Sequence, residues 1–171
     1  MTFTHMTTVA DRIDRFISGV GRTVSLLLLV VVFLQFALVV ARYVLGIGSI
    51  WVTETVMYVH AAVFMLAAAW TLKIGGHVRV DIFYSEASPR TKALVDLAGA
   101  LVLLFPFMAV LFWLSVPYAA RSWAILERSQ EASGLPLVFV LKTFIPLFAF
   151  LIALQGVAQA IRAAIALSRV R

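Results

Sequence analysis

Residues 23–41 read TVSLLLLVVVFLQFALVVA, nineteen consecutive positions without an Asp, Glu, Lys or Arg, and past Ser25 the only polar side chain among them is Gln35. At 1.5 Å per residue such a run spans about 28 Å, the depth of a bilayer's hydrocarbon core of about 30 Å. Three further charge-free runs follow: Thr55 to Leu72, Leu97 to Ala120 and Thr143 to Ile161, each of 18 to 24 residues. The expected fold is therefore an all-α integral membrane protein with four transmembrane helices, spanning about 23–43, 51–72, 95–120 and 137–161.

Composition agrees. Of 171 residues 63% are hydrophobic and 13% charged, and the mean hydropathy is +1.04; soluble domains of this size are far more polar. The first run is too long for a signal-peptide core and lacks a small-x-small cleavage pattern, so it is expected to stay in the mature protein. The chain contains no cysteine, which excludes disulfides, thiolate metal sites and cysteine nucleophiles.

A net charge of +6 would suggest nucleic acid if the basic residues formed a patch, but they sit at the ends of the apolar runs. Ten Lys and Arg fall before the first, between the second and third, and after the fourth, against three (Arg42, Arg121, Arg128) on the other side. The positive-inside rule then puts both termini and the 73–92 loop in the cytoplasm. Residues 1–22 carry Val9, Ile13, Phe16, Ile17 and Val20 at helical spacing, with Asp11, Arg12, Asp14 and Arg15 opposite. That pattern predicts a separate N-terminal amphipathic helix lying on the membrane surface, in contact with membrane lipid.

Punctuation within the chain predicts more. Gly75-Gly76 ends the second helix, and Ser88-Pro89 reads as an N-cap with proline at the first helical position. Pro106 and Pro146 are expected to kink the third and fourth helices. Polar residues within or beside the spans are few enough to weigh singly. Glu54 shares a face with Trp51 and Tyr58, and a carboxylate at that depth needs a partner. Arg42, the nearest basic residue in sequence, is the expected one, with a proton or ion relay as the functional alternative. His60 lies mid-span with no second histidine at its depth, which favours packing against Gln35 over haem ligation. Lys142 is expected to snorkel or to meet Glu127 or Glu131, Gln155 and Gln159 to bond a neighbouring helix, and Asp96 to pair with Lys92. No catalytic triad, metal-ligand cluster or phosphate-binding glycine loop is present, and the chain is read as neither an enzyme nor a cofactor protein.

Residues 75–84, GGHVRVDIFY, place His77, Arg79 and Asp81 at alternate positions. Extended, the three share one face; helical, His77 and Asp81 stack at i, i+4. A plain polar loop is one reading, and a docking strip is the one favoured by the alternation with aliphatic residues.

RYVLGIGSIWVTETVMYV at 42–59, with its Trp51-x-x-Glu54, followed by GGHVRVDIFY, resembles the small membrane subunit of tripartite ATP-independent periplasmic (TRAP) transporters, and the likeness covers nearly the whole chain after the N-terminal tail. The resemblance implies a subunit of the bacterial cell inner membrane. Its partners would be a large multi-span membrane subunit carrying substrate and sodium sites, and a periplasmic solute-binding protein. Uptake would be driven by sodium without ATP. Arg42, Trp51, Glu54, His77, Arg79 and Asp81 match as structural or subunit-interface positions. SWAILERSQEASGLPLVFVLKTFIP, residues 122–146, resembles the subset associated with 2-oxo acids, mannitol or chloroaromatic acids. Two other classes compete: a haem- or quinone-associated membrane anchor of a redox enzyme, and a small homo-oligomeric exporter using Glu54.

Overall fold

The computed structural model describes residues 2–77 and 84–169, and among them only helices and turns occur. Helix α1 is Thr2–Val44, α2 is Ile50–Lys73, α3 is Pro89–Ala124 and α4 is Val138–Arg169. All four are long and apolar enough to cross a membrane. Helix α4 touches each of the other three, α1 also packs on α2, and α3 rests chiefly on α4.

Helix ends follow local chemistry. Ser49 caps α2 by accepting a hydrogen bond from the Val52 amide at 3.4 Å, and Ser88 caps α3 by accepting from the Thr91 amide at 3.2 Å, ahead of Pro89. At the far end of α2, Gly75 adopts φ +70°. This lets the Gly76 amide reach back to the Thr71 carbonyl (2.9 Å) and the Gly75 amide to that of Leu72 (3.2 Å), a Schellman closure that needs a left-handed residue. The same closure ends α3, with Glu127 N–H on the Ser122 carbonyl at 3.0 Å. There the left-handed position falls to Leu126, at φ 45°, a conformation that costs a branched side chain about 1 kcal/mol or more.

The N-terminal segment departs from expectation. It is helical but not a separate element, because α1 runs unbroken for 43 residues, about 64 Å. Its apolar stripe is also divided: Ala10, Ile13 and Ile17 are buried in the core, whereas Val9 and Phe16 are exposed. The inner half of the stripe thus packs on protein. Gly21 makes this possible, since a Cβ there would stand 2.5 Å from Cγ of Trp70 on α2.

Much of the core is alanine: Ala10, Ala69, Ala149 and Ala158 are all 1% exposed or less. Lipid is as apolar as leucine, so helices in a bilayer gain by close van der Waals approach rather than by escaping water, and small residues allow that approach. Gly156 does the same between α4 and α3, where a Cβ would come 2.7 Å from Leu104. Pro106 leaves its mark as a π turn over Ala100–Leu104; the widened turn relieves the clash a proline ring makes with the carbonyl four residues earlier.

Candidate functional site

The polar side chains gather at the two ends of the bundle. At the end opposite the termini, Glu54 projects from the first turns of α2 towards the 125–137 loop. One carboxylate oxygen accepts from the Ser129 hydroxyl and the other from the Leu135 backbone amide at 2.5 Å. The loop closes on itself through Ser129 N–H to the Leu135 carbonyl, 3.1 Å. Gly134 leaves room for this grip, because a Cβ there would lie 2.8 Å from the Glu54 carboxylate. Glu54 is thus a clamp holding the loop on the start of α2. The expected Arg42–Glu54 pair is not formed: both Glu54 oxygens are taken by a nearer hydroxyl and a main-chain donor. Arg42 is exposed, and no carboxylate pairs with it among the described residues.

Beside this clamp, Glu127 accepts from Lys142 at 2.5 Å and from the Ser122 hydroxyl at 2.6 Å. The Lys142 ammonium lies 4.3 Å from the Tyr118 ring centre, a cation–π contact. Hydrogen bonding from Lys142, then from Ser122, holds the Glu127 carboxyl below its ordinary range. Trp123 completes the α3–α4 seam by donating to Thr143 at 2.8 Å and meeting Phe139 edge-on, ring centres 4.5 Å apart. The expected Lys142–Glu127 contact is present.

At the termini end, Arg162 of α4 reaches both Asp14 (2.6 Å) and Asp11 (3.1 Å) of α1, and Gln155 donates to Asp14 at 3.0 Å. Gln159 donates to the Leu72 carbonyl at 2.9 Å, and Lys73 to the Ser18 hydroxyl. Gln155 and Gln159 thus bind neighbouring helices as their i, i+4 spacing predicts. Asp14, expected on the solvent side, has only 16% of its side chain exposed. Asp96 takes a hydrogen bond from Tyr84 at 2.8 Å and Lys92 donates to the Ser85 carbonyl at 2.9 Å, so the expected Asp96–Lys92 pair is replaced by two contacts with the turn before α3.

The remaining site residues are more loosely placed. Trp51 is 54% exposed, His60 is exposed on α2 without a bond to Gln35, and His77 is exposed past the end of α2. Arg79 and Asp81 lie outside the described residues. His60 and the other histidines, His5 and His77, stand at different depths, and among the described residues no group of three or more His, Cys, Asp or Glu converges on a metal-sized site.

Four bilayer-length helices, with carboxylates holding α2 to the 125–137 loop and α3 to α4 at one end and α1 to α4 at the other, define a small multi-span membrane protein whose polar groups hold helices together. Residues 28–166 match the family model described as tripartite ATP-independent periplasmic transporters, DctQ component. The chain belongs to that family and is a small permease subunit of a TRAP transporter. No curated protein and no solved structure matches it.

Proposed function

We propose that this chain is the non-catalytic small subunit of a sodium-driven TRAP transporter of the bacterial inner membrane. It would support a large multi-span subunit during uptake of a small organic acid delivered by a periplasmic binding protein, with both termini in the cytoplasm. The observation that carries the reading, beyond the family, is how little of the apolar surface the chain covers for itself. Only 6% of the most apolar 18-residue window of α1 is buried, and 11% of that of α3, against 28% for α4. Phe33 and Phe36 on α1 and Trp113 on α3 stand 68%, 68% and 79% exposed, leaving wide faces for lipid and a larger partner. Arg42, Trp51, His77, Arg79 and Asp81, loosely held or beyond the described residues, are proposed as interface positions, and Glu54 as the residue that shapes the distal loop.

The test is affinity purification of the tagged chain from its native membrane in mild detergent. A much larger multi-span protein should co-purify in constant ratio, and the reconstituted pair should take up organic acid only with the binding protein and an inward sodium gradient. Recovery of the 18.8 kDa chain alone would refute the assignment of a partner, and uptake by this chain alone would favour the exporter reading. Charge reversal at Arg79 or Asp81 is expected to weaken co-purification before it changes substrate affinity.

A further inference from the structure

The geometry points to an anionic phospholipid bound along α3, its headgroup at the termini end and an acyl chain in an apolar groove. Val95, Gly99, Leu103 and Phe107 form an i, i+4 stripe down one side of α3, and with Leu104 and Gln159 they line an open-sided groove of about 1010 Å³. The chain does not fill it: Leu103 is 71% and Phe107 63% exposed. From Asp96 at the mouth to Phe107 the groove runs about 16 Å along the helix, the depth of one leaflet, half of a core of about 30 Å.

The mouth makes the occupant an amphiphile with a negative head. A second pocket, lined by Lys73, Lys92 and Arg162, shares Asp96 and Gln159 with the groove, so the two adjoin. Lys92 holds only the Ser85 carbonyl and lies 5.6 Å from the Tyr84 ring centre, and Lys73 holds the Ser18 hydroxyl; neither has a carboxylate partner among the described residues. Arg162 is shared with Asp11 and Asp14, Lys73 also lies within the field of Asp14, and Asp96, which accepts from the Tyr84 hydroxyl, sets one negative charge at the mouth against the basic residues. Among the described residues Lys73 and Lys92, neither in a salt bridge, outnumber Asp96 at the level where headgroups lie, above an apolar lane one leaflet deep, the arrangement that basic pockets between membrane helices use for anionic lipids.

Gly99 offers a clean perturbation. It has helical angles, φ −59° and ψ −41°, and a Cβ there would meet nothing within 4 Å, so Gly99→Leu fills the groove without straining the backbone. The experiment is native mass spectrometry of the full chain, delipidated in mild detergent and titrated with phosphatidylglycerol or phosphatidylcholine of matched acyl chains. One phosphatidylglycerol should be retained in preference to phosphatidylcholine. Lys92→Gln should weaken that retention about fivefold, the worth of one basic residue at an anionic surface, and Gly99→Leu should weaken both lipids alike. Equal retention of the two lipids by the wild type, or unchanged retention by Gly99→Leu, overturns the proposal. So does cross-linking from position 103 to a large subunit in native membranes, which would put protein in the groove. Should Gly99→Leu fail to accumulate, Lys92→Gln alone decides the headgroup. The inference does not depend on the assigned partner: a chain that bound the lipid but co-purified with nothing would refute that assignment and leave this site standing.

Discussion

Replacing Glu54 tests whether the distal loop is held by a carboxylate or merely lies near one. In Glu54→Ala the Leu135 amide, in a residue only 5% exposed, loses its acceptor, and an unsatisfied buried donor costs about 1–3 kcal/mol. The Ser129 hydroxyl loses a charged acceptor as well but can turn towards water, adding about 1 kcal/mol. The sum, about 3 kcal/mol, lowers the free energy of local opening by that amount and speeds amide exchange about 150-fold. Glu54→Gln keeps the shape: its oxygen accepts from Leu135, and its NH₂ donates to a Ser129 hydroxyl that rotates to receive it. Only charge assistance is lost, about half of each bond, and exchange should rise about tenfold. The assay is hydrogen–deuterium exchange of peptides covering 129–135 in detergent-solubilised protein, where Ser129, Gly134 and Leu135 all donate main-chain hydrogen bonds. Unchanged exchange in Glu54→Ala would show that the loop stands without the clamp. Equal acceleration by Gln and Ala would show that charge, rather than hydrogen-bond geometry, holds it.

Gly134→Ala should loosen the same loop through sterics, because the new methyl would approach the Glu54 carboxylate to 2.8 Å; a cost of about 1–3 kcal/mol would appear as earlier proteolytic cleavage within 125–137. Glu127 is held below its ordinary pKa by Lys142 and Ser122, so its contribution is fully present above the unfolded value of about 4.3 and is lost as pH falls through the lower folded value. Thermal unfolding followed downwards from pH 6 should therefore fall less steeply in Glu127→Gln than in wild type, and identical slopes would remove Glu127 from the acid response. Asp14→Asn and Arg162→Gln should be non-additive in thermal stability by about 1 kcal/mol, modest because Arg162 stays 44% exposed. A coupling of zero in that double-mutant cycle would reduce the α1–α4 tie to mere proximity.

The helices were legible because a bilayer imposes one stringent rule: charge-free runs of bilayer length span it. The same holds for contacts with a local signature. Ser88-Pro89 caps where it reads, Gly75 turns where it reads, and Gln155 and Gln159 point at neighbours because four residues separate them. The partners of Glu54 were not legible. Arg42 is twelve positions away and carries the right charge, whereas the true partners lie 75 and 81 residues further on, and one is a backbone amide, which every residue but proline possesses. The continuity of α1 was hidden for the opposite reason. The amphipathic pattern of residues 1–22 differs from the apolar run that follows, yet Gly19 and Gly21 at the join each cost a helix only about 1 kcal/mol, and Gly21 admits Trp70. Ser129 and Gly134, in the loop between α3 and α4, had no periodicity to mark them, and Asp14 beside Arg162 is a pairing across 148 positions that charge alone could have distributed otherwise.

The central position of α4 bears on how the protein is made. A ribosome delivers α1 and α2 first, and these two helices pack on each other, so the first hairpin can pair as soon as it reaches the bilayer. Helix α3 arrives next and has to wait in lipid, because its principal neighbour is still being translated. Only when the 32 residues of α4 enter do Asp14, Leu72 and Trp123 all meet their partners. Assembly of these four helices is thus deferred to α4, and a nascent chain halted before Val138 would carry a third span open to capture by whatever else is in the membrane.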